Sequence, residues 1–502
     1  MSDKTKNKSV LQANGLQATL AELKQEVLAL YLADQIPWVV GYSGGKDSTA
    51  TLQILWLALQ DLKPEERTKP IYVITTDTLV ENPVVAAWVD VSLEQMQTAA
   101  EEQGLPITAH KLTPEIHNTF WVNLIGRGYP APRPRFRWCT ERLKIDPTSR
   151  FITDVVKQNA EAIVVLGTRK AESSSRARVM NRLEQQRVRD NLNPHTTLPN
   201  AYVYPPIQNW TDDDVWMFLM QVKNPWGHNN KDLLTMYQGA SADGECPLVI
   251  DTSTPSCGDS RFGCWVCTLV EKDKSMQAMI LNDQDKEWML PLLELRNELD
   301  IHDDSHLRDF RRMNGQVYIF KTKDGEEKKV PGPYTQKARE QWVRKLLRAQ
   351  QYVRAEGPPE MSNIELISIA ELREIRRIWV MDKHEIEDTL PAIYEAETGS
   401  PFPDGVLDET QIFDKGDLNL LHELCDGDEI HYQLLRELIS VERQFVSNGR
   451  RRGLFEALEK AIRKNYFEDE EDAIQRALAL KGRLDEGREK VDSLLDLHEM
   501  GG

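Results

Sequence analysis

Two periods alternate along the first half of the chain. Leu11, Leu16, Leu20, Leu23, Val27, Leu28 and Leu30 recur at helical spacing through residues 8–34 and predict a leading helix. Short apolar runs of strand length follow at 37–42, 71–76 (IYVITT), 107–112 (ITAHKL) and 162–167 (AIVVLG), with helical stretches such as 48–62 between them. Such alternation predicts an α/β fold with a parallel sheet covered by helices. Ligands in these sheets sit beyond the carboxyl ends of the strands. The turn Ser43–Ser48, Asp77 and Gly167-Thr168-Arg169 all fall at such ends, so one edge of the sheet is expected to gather them.

The pattern then changes. Residues 238–275 are irregular and rich in Gly, Ser, Asp and Cys, a loop-like insert. Helical spacing resumes at 276–300, 334–355 and 362–380, and residues 316–330 alternate around Asp324-Gly325, a hairpin signal. The tail 415–497 is charged and partly amphipathic, a packing or partner-binding element. These shifts divide the chain into a leading helix (1–35), a nucleotide-binding α/β domain (36–237), a cysteine-bearing loop region (238–275), a helical region with the hairpin (276–380) and an acidic helical region (381–502).

Composition narrows the class. At 502 residues, two or three domains are expected, and 40% hydrophobic content suffices for their cores. No run approaches the ~20 apolar residues of a membrane span, and MSDKTKNKSV lacks the apolar stretch of a secretory signal. Six cysteines in so long a chain point away from a disulfide framework and towards metal or thiol chemistry in a reducing cytoplasm. A net charge of −18 argues against a wholly nucleic-acid-binding surface. Charge is segregated, however: residues 127–189 hold 15 Lys or Arg against 6 Asp or Glu, whereas 382–429 hold 15 acidic residues against 2 basic. Each segment is either a solvated face or an interaction surface, the first for a polyanion and the second for a protein.

The sharpest chemical signal is Ser43-Gly44-Gly45-Lys46-Asp47-Ser48, set between a strand and a helix. Two glycines let backbone N–H groups converge on an anion, and the helix start adds partial positive charge. Lys46 supplies a full charge; Ser43 and Ser48 supply hydroxyl donors. The spacing is not that of the Walker loop, which needs four residues between its first Gly and Gly-Lys. It resembles the PP-loop of the ATP pyrophosphatases. That resemblance implies a doubly wound parallel sheet of the adenine nucleotide alpha hydrolase-like type, ATP and Mg²⁺ as ligands, attack at the α phosphorus, and pyrophosphate as leaving group.

A second signal is Cys246-x10-Cys257-x6-Cys264-x2-Cys267. Four thiolates at this spacing can close around one soft metal centre, and spacing alone admits zinc as well as an iron–sulfur cluster. Cys139 stands among Arg133, Arg135, Arg137, Arg142 and Lys144, an environment expected to lower its pKa. A persulfide carrier, a metal ligand and an inert thiol all remain open for it. Cys425, in an acidic stretch, reads as a bystander. Thr211 reads as the cap of a helix whose acidic first turn, Asp212–Asp214, has little chemistry of its own.

In chain order, Ser43–Ser48, Trp138-Cys139-Thr140-Glu141-Arg142, Gly167-x-Arg169-x-x-Glu172-Ser173-x-x-Arg176 and Pro206-Ile207-x-x-Trp210-Thr211-x-x-Asp214-Val215-Trp216 resemble the phosphoadenosine-phosphosulfate reductase family over about residues 30–270. Length, cysteine insert and C-terminal region resemble most closely its sulfurtransferase branch, that of DNA phosphorothioation. This resemblance implies Lys46, Cys139 and Arg169 as catalytic residues, and Asp77, Gly167, Arg169 and Arg176 beside the Ser43–Ser48 loop for ATP and pyrophosphate. It also implies a 4Fe-4S cluster on the four cysteines in preference to zinc, DNA as substrate, a cysteine desulfurase as sulfur donor, and further phosphorothioation proteins as partners. The full Ser-Gly-Gly-Lys loop and the absence of a cysteine near the C-terminal end, Cys425 being the last, depart from the plain reductases. A sulfonucleotide reductase, a base-thiolating enzyme and an ATP-sensing scaffold are the alternatives.

Overall fold

The computed structural model describes residues 9–240, 263–322, 324–405, 407, 415–446 and 453–483. Cys246, Cys257 and the end of the predicted tail lie outside them. The chain forms two compact units, one of Met1–Phe120, Pro132–Asp300 and Ala355–Ser362, the other of Trp121–Ala131, Ile301–Arg354 and Asn363–Gly502.

The first unit is built on a six-stranded sheet. The strands are β1 (Trp38–Gly41), β2 (Ile71–Thr76), β3 (Ile107–Leu112), β4 (Ala162–Val165), β5 (Asn193–Pro194) and β6 (Ala201–Tyr204), in the order β3-β2-β1-β4-β6-β5. All pairs are parallel except β5 with β6. The four strands expected from apolar runs are present. β5 and β6 were not anticipated, because Asn-Pro and Ala-Tyr-Val-Tyr are too short to show a period; pairing with β4 makes β6 a strand.

Both faces of this sheet are covered, which explains the near-continuous apolar character of its strands. Trp38, Val40, Ile71, Val73, Ile163 and Val165 point to one side. They pack there with helices α2 (Leu16–Leu32), α3 (Lys46–Gln60), α4 (Pro83–Glu102), α7 (Asp212–Gln221) and α8 (Asn230–Gly239). The alternate positions Val39, Ile74 and Val164 meet Ile152 and Val155 of α5 (Asp146–Asn159) on the other side. The leading helix is broken: α1 (Val10–Asn14) ends at Gly15, whose φ of +80° starts α2. α1 is tied down by buried Asp214, which accepts from the backbone N–H of Leu11 (3.1 Å) as well as from Thr211 (2.8 Å).

The second unit is mostly helical, around α11 (Gln336–Glu356) and α12 (Ile369–Arg377), with the hairpin β7 (Ile319–Lys321) and β8 (Glu327–Lys329) where Asp324-Gly325 predicted a turn. It includes a segment from the first half of the sequence. Trp121 donates its indole N–H to Leu366 O (2.8 Å), and Trp379 donates to Ile125 O (3.0 Å), so residues 121–131 pack among helices more than 200 positions later. Among the described residues no helix is long and apolar enough to cross a membrane.

Candidate active site

The strand order reverses between β1 and β4, and a crevice is expected beyond the carboxyl ends of such a pair. A cleft of about 920 Å³ opens there, lined by Ser43–Ser48, Asp77, Gly167–Arg169 and Arg176 among others. The residues expected to gather at one edge therefore do so.

Two glycines set the shape of the cleft. Gly44 has φ +73°, and a Cβ there would come within 2.6 Å of Val89 Cγ2. Gly167 follows β4 so closely against α3 that a Cβ would stand 2.7 Å from Asp47 O. The loop is braced from within: the Ser43 N–H donates to Ser48 Oγ (3.2 Å), and Ser48 Oγ donates to Gly45 O (3.0 Å). It is also braced from outside, where the Lys46 N–H donates to the Tyr237 hydroxyl (3.3 Å) and the Trp88 indole N–H donates to Gly44 O (3.3 Å).

Lys46, Asp47, Arg169 and Asp212 form a four-membered charge network. Lys46 Nζ lies 3.2 Å from Asp212 Oδ1 and 3.5 Å from Asp47 Oδ2. Arg169, only 1% exposed, gives Nε to Asp47 Oδ1 and Nη2 to Asp212 Oδ1, each at 2.7 Å. Its backbone N–H donates to Glu172 (2.7 Å). Arg169 was expected to face phosphate oxygens; here its guanidinium holds two carboxylates in place. Arg176 lines the cleft and pairs with Glu172 at 2.6 Å.

Asp212 was read as a helix-start acid of little chemical weight, and that reading is corrected. Burial alone would raise its pKa, but Lys46 and Arg169 outweigh it and hold the carboxyl below the ordinary range. Burial likewise opposes charge on Arg169, and Asp47 and Asp212 overcome it to raise its pKa. Tyr237, Glu81 and Lys111 also line the cleft and carried no signal in the sequence. Asp77 stands at the end of β2, 3.0 Å from Lys111 Nζ, and its Oδ1 accepts from the Leu79 N–H (2.8 Å).

A thiol, Cys264, lies behind the Glu81 side of this cleft. Residues 263–265 are pinned to the segment after β2: Trp265 N–H donates to Val80 O (2.9 Å), Asn82 N–H donates to Gly263 O (3.3 Å), and Cys264 faces Glu81 in an antiparallel bridge. From α10 (Leu290–Leu299), buried Arg296 donates to Cys267 O (3.0 Å) and Glu271 O (3.2 Å), fixing the next turn. Thr78 Oγ1 lies 2.9 Å from Glu81 Oε1 and 3.3 Å from Cys264 Sγ, and Lys144 Nζ lies 3.4 Å from Glu81. Glu81 and Lys144 both line the cleft. Burial pushes the Cys264 thiol up to about 12; Glu81 adds to the rise and Lys144 opposes it.

Cys139 begins a wide π-helical turn, Thr140–Ile145, that leads into α5. Burial raises its pKa against a hydrogen bond with Thr140, and Cys267, close enough to interact with it, raises it further. The expected depression by neighbouring cations is therefore corrected. Those cations are turned to other groups: Arg133 to Asp300 (2.7 Å), Arg142 to Asn118 (2.9 Å), Lys144 to Glu81. Arg135 and Arg137 are exposed. Cys139, Cys264 and Cys267 thus share one region, but among the described residues no three Cys, His, Asp or Glu side chains form a metal-holding group. Of the four cysteines expected to hold a 4Fe-4S cluster or zinc ion, Cys264 and Cys267 are placed here, and Cys246 and Cys257 lie outside the described residues.

An anion fits better: the glycine turn leaves room for one, and Ser43, Lys46, Ser48 and the Asp212 carboxylate line the same cleft.

An uncharacterized protein of Methanocaldococcus jannaschii is 28% identical over 235 residues, 47% of this chain and 37% of that protein, so the chain spans just over a third of this curated relative. Among solved structures, the phosphoadenylyl-sulfate (PAPS) reductase of Candida auris in its phosphate complex shares 17% identity over 45% of this chain and 91% of its own, with a TM-score of 0.27. The U34-tRNA thiolase NcsA of Methanococcus maripaludis, solved with its 4Fe-4S cluster, shares 13% over 58% of this chain and 81% of its own, with a TM-score of 0.28. Residues 37–228 match the family described as the phosphoadenosine phosphosulfate reductase domain. The matched stretch of the first unit, which includes the Ser43–Ser48 loop at the end of β1, is therefore similar to a phosphoadenosine phosphosulfate reductase domain.

Proposed function

We propose that this protein is an ATP-dependent sulfurtransferase that activates a DNA backbone phosphate and replaces a non-bridging oxygen with sulfur. The observation that supports this reading is the nearness of a phosphate cradle to a buried thiol: Glu81, which lines the cleft with Ser43–Ser48, is joined through Thr78 to Cys264. Loop N–H groups, Ser43, Ser48 and Lys46 hold the β and γ phosphates. A DNA phosphate oxygen attacks the α phosphorus; the bond to the bridging oxygen breaks, and Lys46 stabilises the charge that develops on pyrophosphate. Mg²⁺, held by Asp212 and phosphate oxygens, would add Lewis-acid stabilisation of that charge. Arg169 keeps Asp47 and Asp212 in register with Lys46. The adenylated oxygen is then a good leaving group. A persulfide on Cys139, loaded by a cysteine desulfurase, attacks the DNA phosphorus and AMP departs. A second thiol takes Cys139 into a disulfide and frees the phosphorothioate.

ATP–pyrophosphate exchange tests the first half. Wild-type protein should exchange label and form AMP; production of ADP and orthophosphate would overturn the reading. Mass spectrometry of digested DNA from cells with and without the protein tests the second half, the expected product being phosphorothioate dinucleotides. Sulfite release from a sulfonucleotide would instead assign the cleft to reduction.

A further inference from the structure

We propose, resting on the reading of the cleft as one that takes a DNA phosphate, that two arginine-bearing segments beside it hold a single or locally opened strand, with Phe136 stacking on an unpaired base. The first segment is a tight turn. Arg133 and Phe136 pair across it, the Phe136 N–H donating to Arg133 O (2.8 Å), with Pro134 at the second position. Arg135, Phe136 and Arg137 are thereby presented to solvent, Phe136 at 45% exposure. The second segment is α6 (Ser174–Glu184), which carries exposed Arg178 and Arg182 one turn apart.

The distinguishing feature is how their charge is used. Most other cations of the basic stretch pair with acids, among them Arg133 with Asp300, Arg150 with Glu115, Arg169 with Asp47 and Asp212, Arg176 with Glu172, and Arg189 with Asp34. Among the described residues Arg135, Arg137, Arg178 and Arg182 form no ion pair, in a chain with 80 Asp and Glu to choose from. Like charges one turn apart also weaken a helix, so Arg178 and Arg182 carry a cost that no local contact offsets. Both segments lead to the cleft: Ser173 and Arg176 line it at the start of α6, and Lys144 lines it from the turn that follows Cys139.

Guanidinium groups bind phosphate with two parallel hydrogen bonds, and a row of them tracks a polyanion. An exposed aromatic ring between two such groups suits the face of a base, which inorganic polyphosphate and acidic peptides lack. Bases inside a duplex are already stacked, so the ring selects a strand that is single or opened.

Fluorescence anisotropy with the full chain, a labelled single-stranded DNA and a hairpin duplex of the same length tests this over a range of salt concentrations. Single-stranded DNA should bind more tightly. Arg135→Glu/Arg137→Glu and Arg178→Glu/Arg182→Glu should each weaken it about ten-fold or more and flatten the salt slope by about 1.4, two contacts at about 0.7 each. Arg→Lys versions should retain the slope, and Arg→Gln versions replace the Glu variants if those fail to fold. Phe136→Ala should weaken single-strand binding by about ten-fold while leaving the duplex unchanged. Wild-type affinity and slope in both double variants, or equal loss on both DNA forms for Phe136→Ala, would overturn the surface. The nucleotide reading fails separately: it is sunk by the wrong ATP product, a result that anisotropy does not touch.

Discussion

The phosphate end and the thiol end of the cleft treat charge in opposite ways. Around Lys46, each of two cations lies within 3.5 Å of each of two carboxylates, and the network holds Asp212 ionised. Around Cys264, burial and Glu81 act together to keep a thiol protonated against the opposing charge of Lys144, and Cys139 is shifted in the same direction. A leaving pyrophosphate needs positive charge already in position. A thiol awaiting sulfur is better shielded, because an exposed thiolate reacts with any oxidant or electrophile that reaches it. A carboxylate is thus held ionised at one end of the cleft and a thiol held protonated behind the other.

Separating the halves gives the largest expected effect. Lys46→Ala should lower ATP–pyrophosphate exchange by about 10²–10³-fold, the scale of losing one preorganised stabilising group. Cys139→Ser should abolish sulfur incorporation and leave exchange within about two-fold. Equal loss of exchange in both variants would merge the halves into one unit.

Breaking the charge network comes next. Asp212→Ala leaves fully buried Arg169 with Asp47 as its one remaining carboxylate. Removing one partner of a buried pair costs about 3–5 kcal/mol; with Asp47 retained and Asp212 partly exposed, about 2 kcal/mol is expected in denaturant unfolding. The sign with pH follows from the depressed carboxyl of Asp212. Its stabilising effect is fully present above the unfolded carboxylate pKa of about 3.9 and is lost as pH falls through the lower folded value. Asp212→Asn should therefore flatten the acid limb of a stability–pH profile, and an unchanged limb would remove Asp212 from the network.

Gly167→Ala tests the close approach of β4 to α3. A methyl group 2.7 Å from Asp47 O forces the backbone apart, at about 1–3 kcal/mol, and should weaken ATP binding because Asp47 moves with it. Tyr237→Phe is the mildest change. It removes one long hydrogen bond to the Lys46 N–H and should shift unfolding by no more than about 1 kcal/mol.

The same contrast marks what could be read in advance. Ser43–Ser48 was legible because its chemistry is local: glycines, a lysine and hydroxyls within six positions, between a strand and a helix that announce themselves by period. Strands β1 to β4 were legible for the same reason. Asp212 was not, since an acid in the first turn of a capped helix has a sufficient local explanation. Cys139 was misread because sequence neighbours are not spatial neighbours, and its arginines turn outward or to other groups, Arg133 to Asp300 and Arg142 to Asn118.

Sequence alone fixed the anion cradle, the parallel sheet and the order of its strands along the chain, all of which depend on short-range sterics and the side-chain periods of helix and strand. Tertiary structure decided which groups surround that cradle. Arg169 reaches Asp47 across 122 positions, and Cys264 meets Thr78 across 186. Such meetings arise because β1, β2 and β4 lie side by side in the sheet, so that chain segments leaving their ends converge on one crevice whatever their separation in sequence.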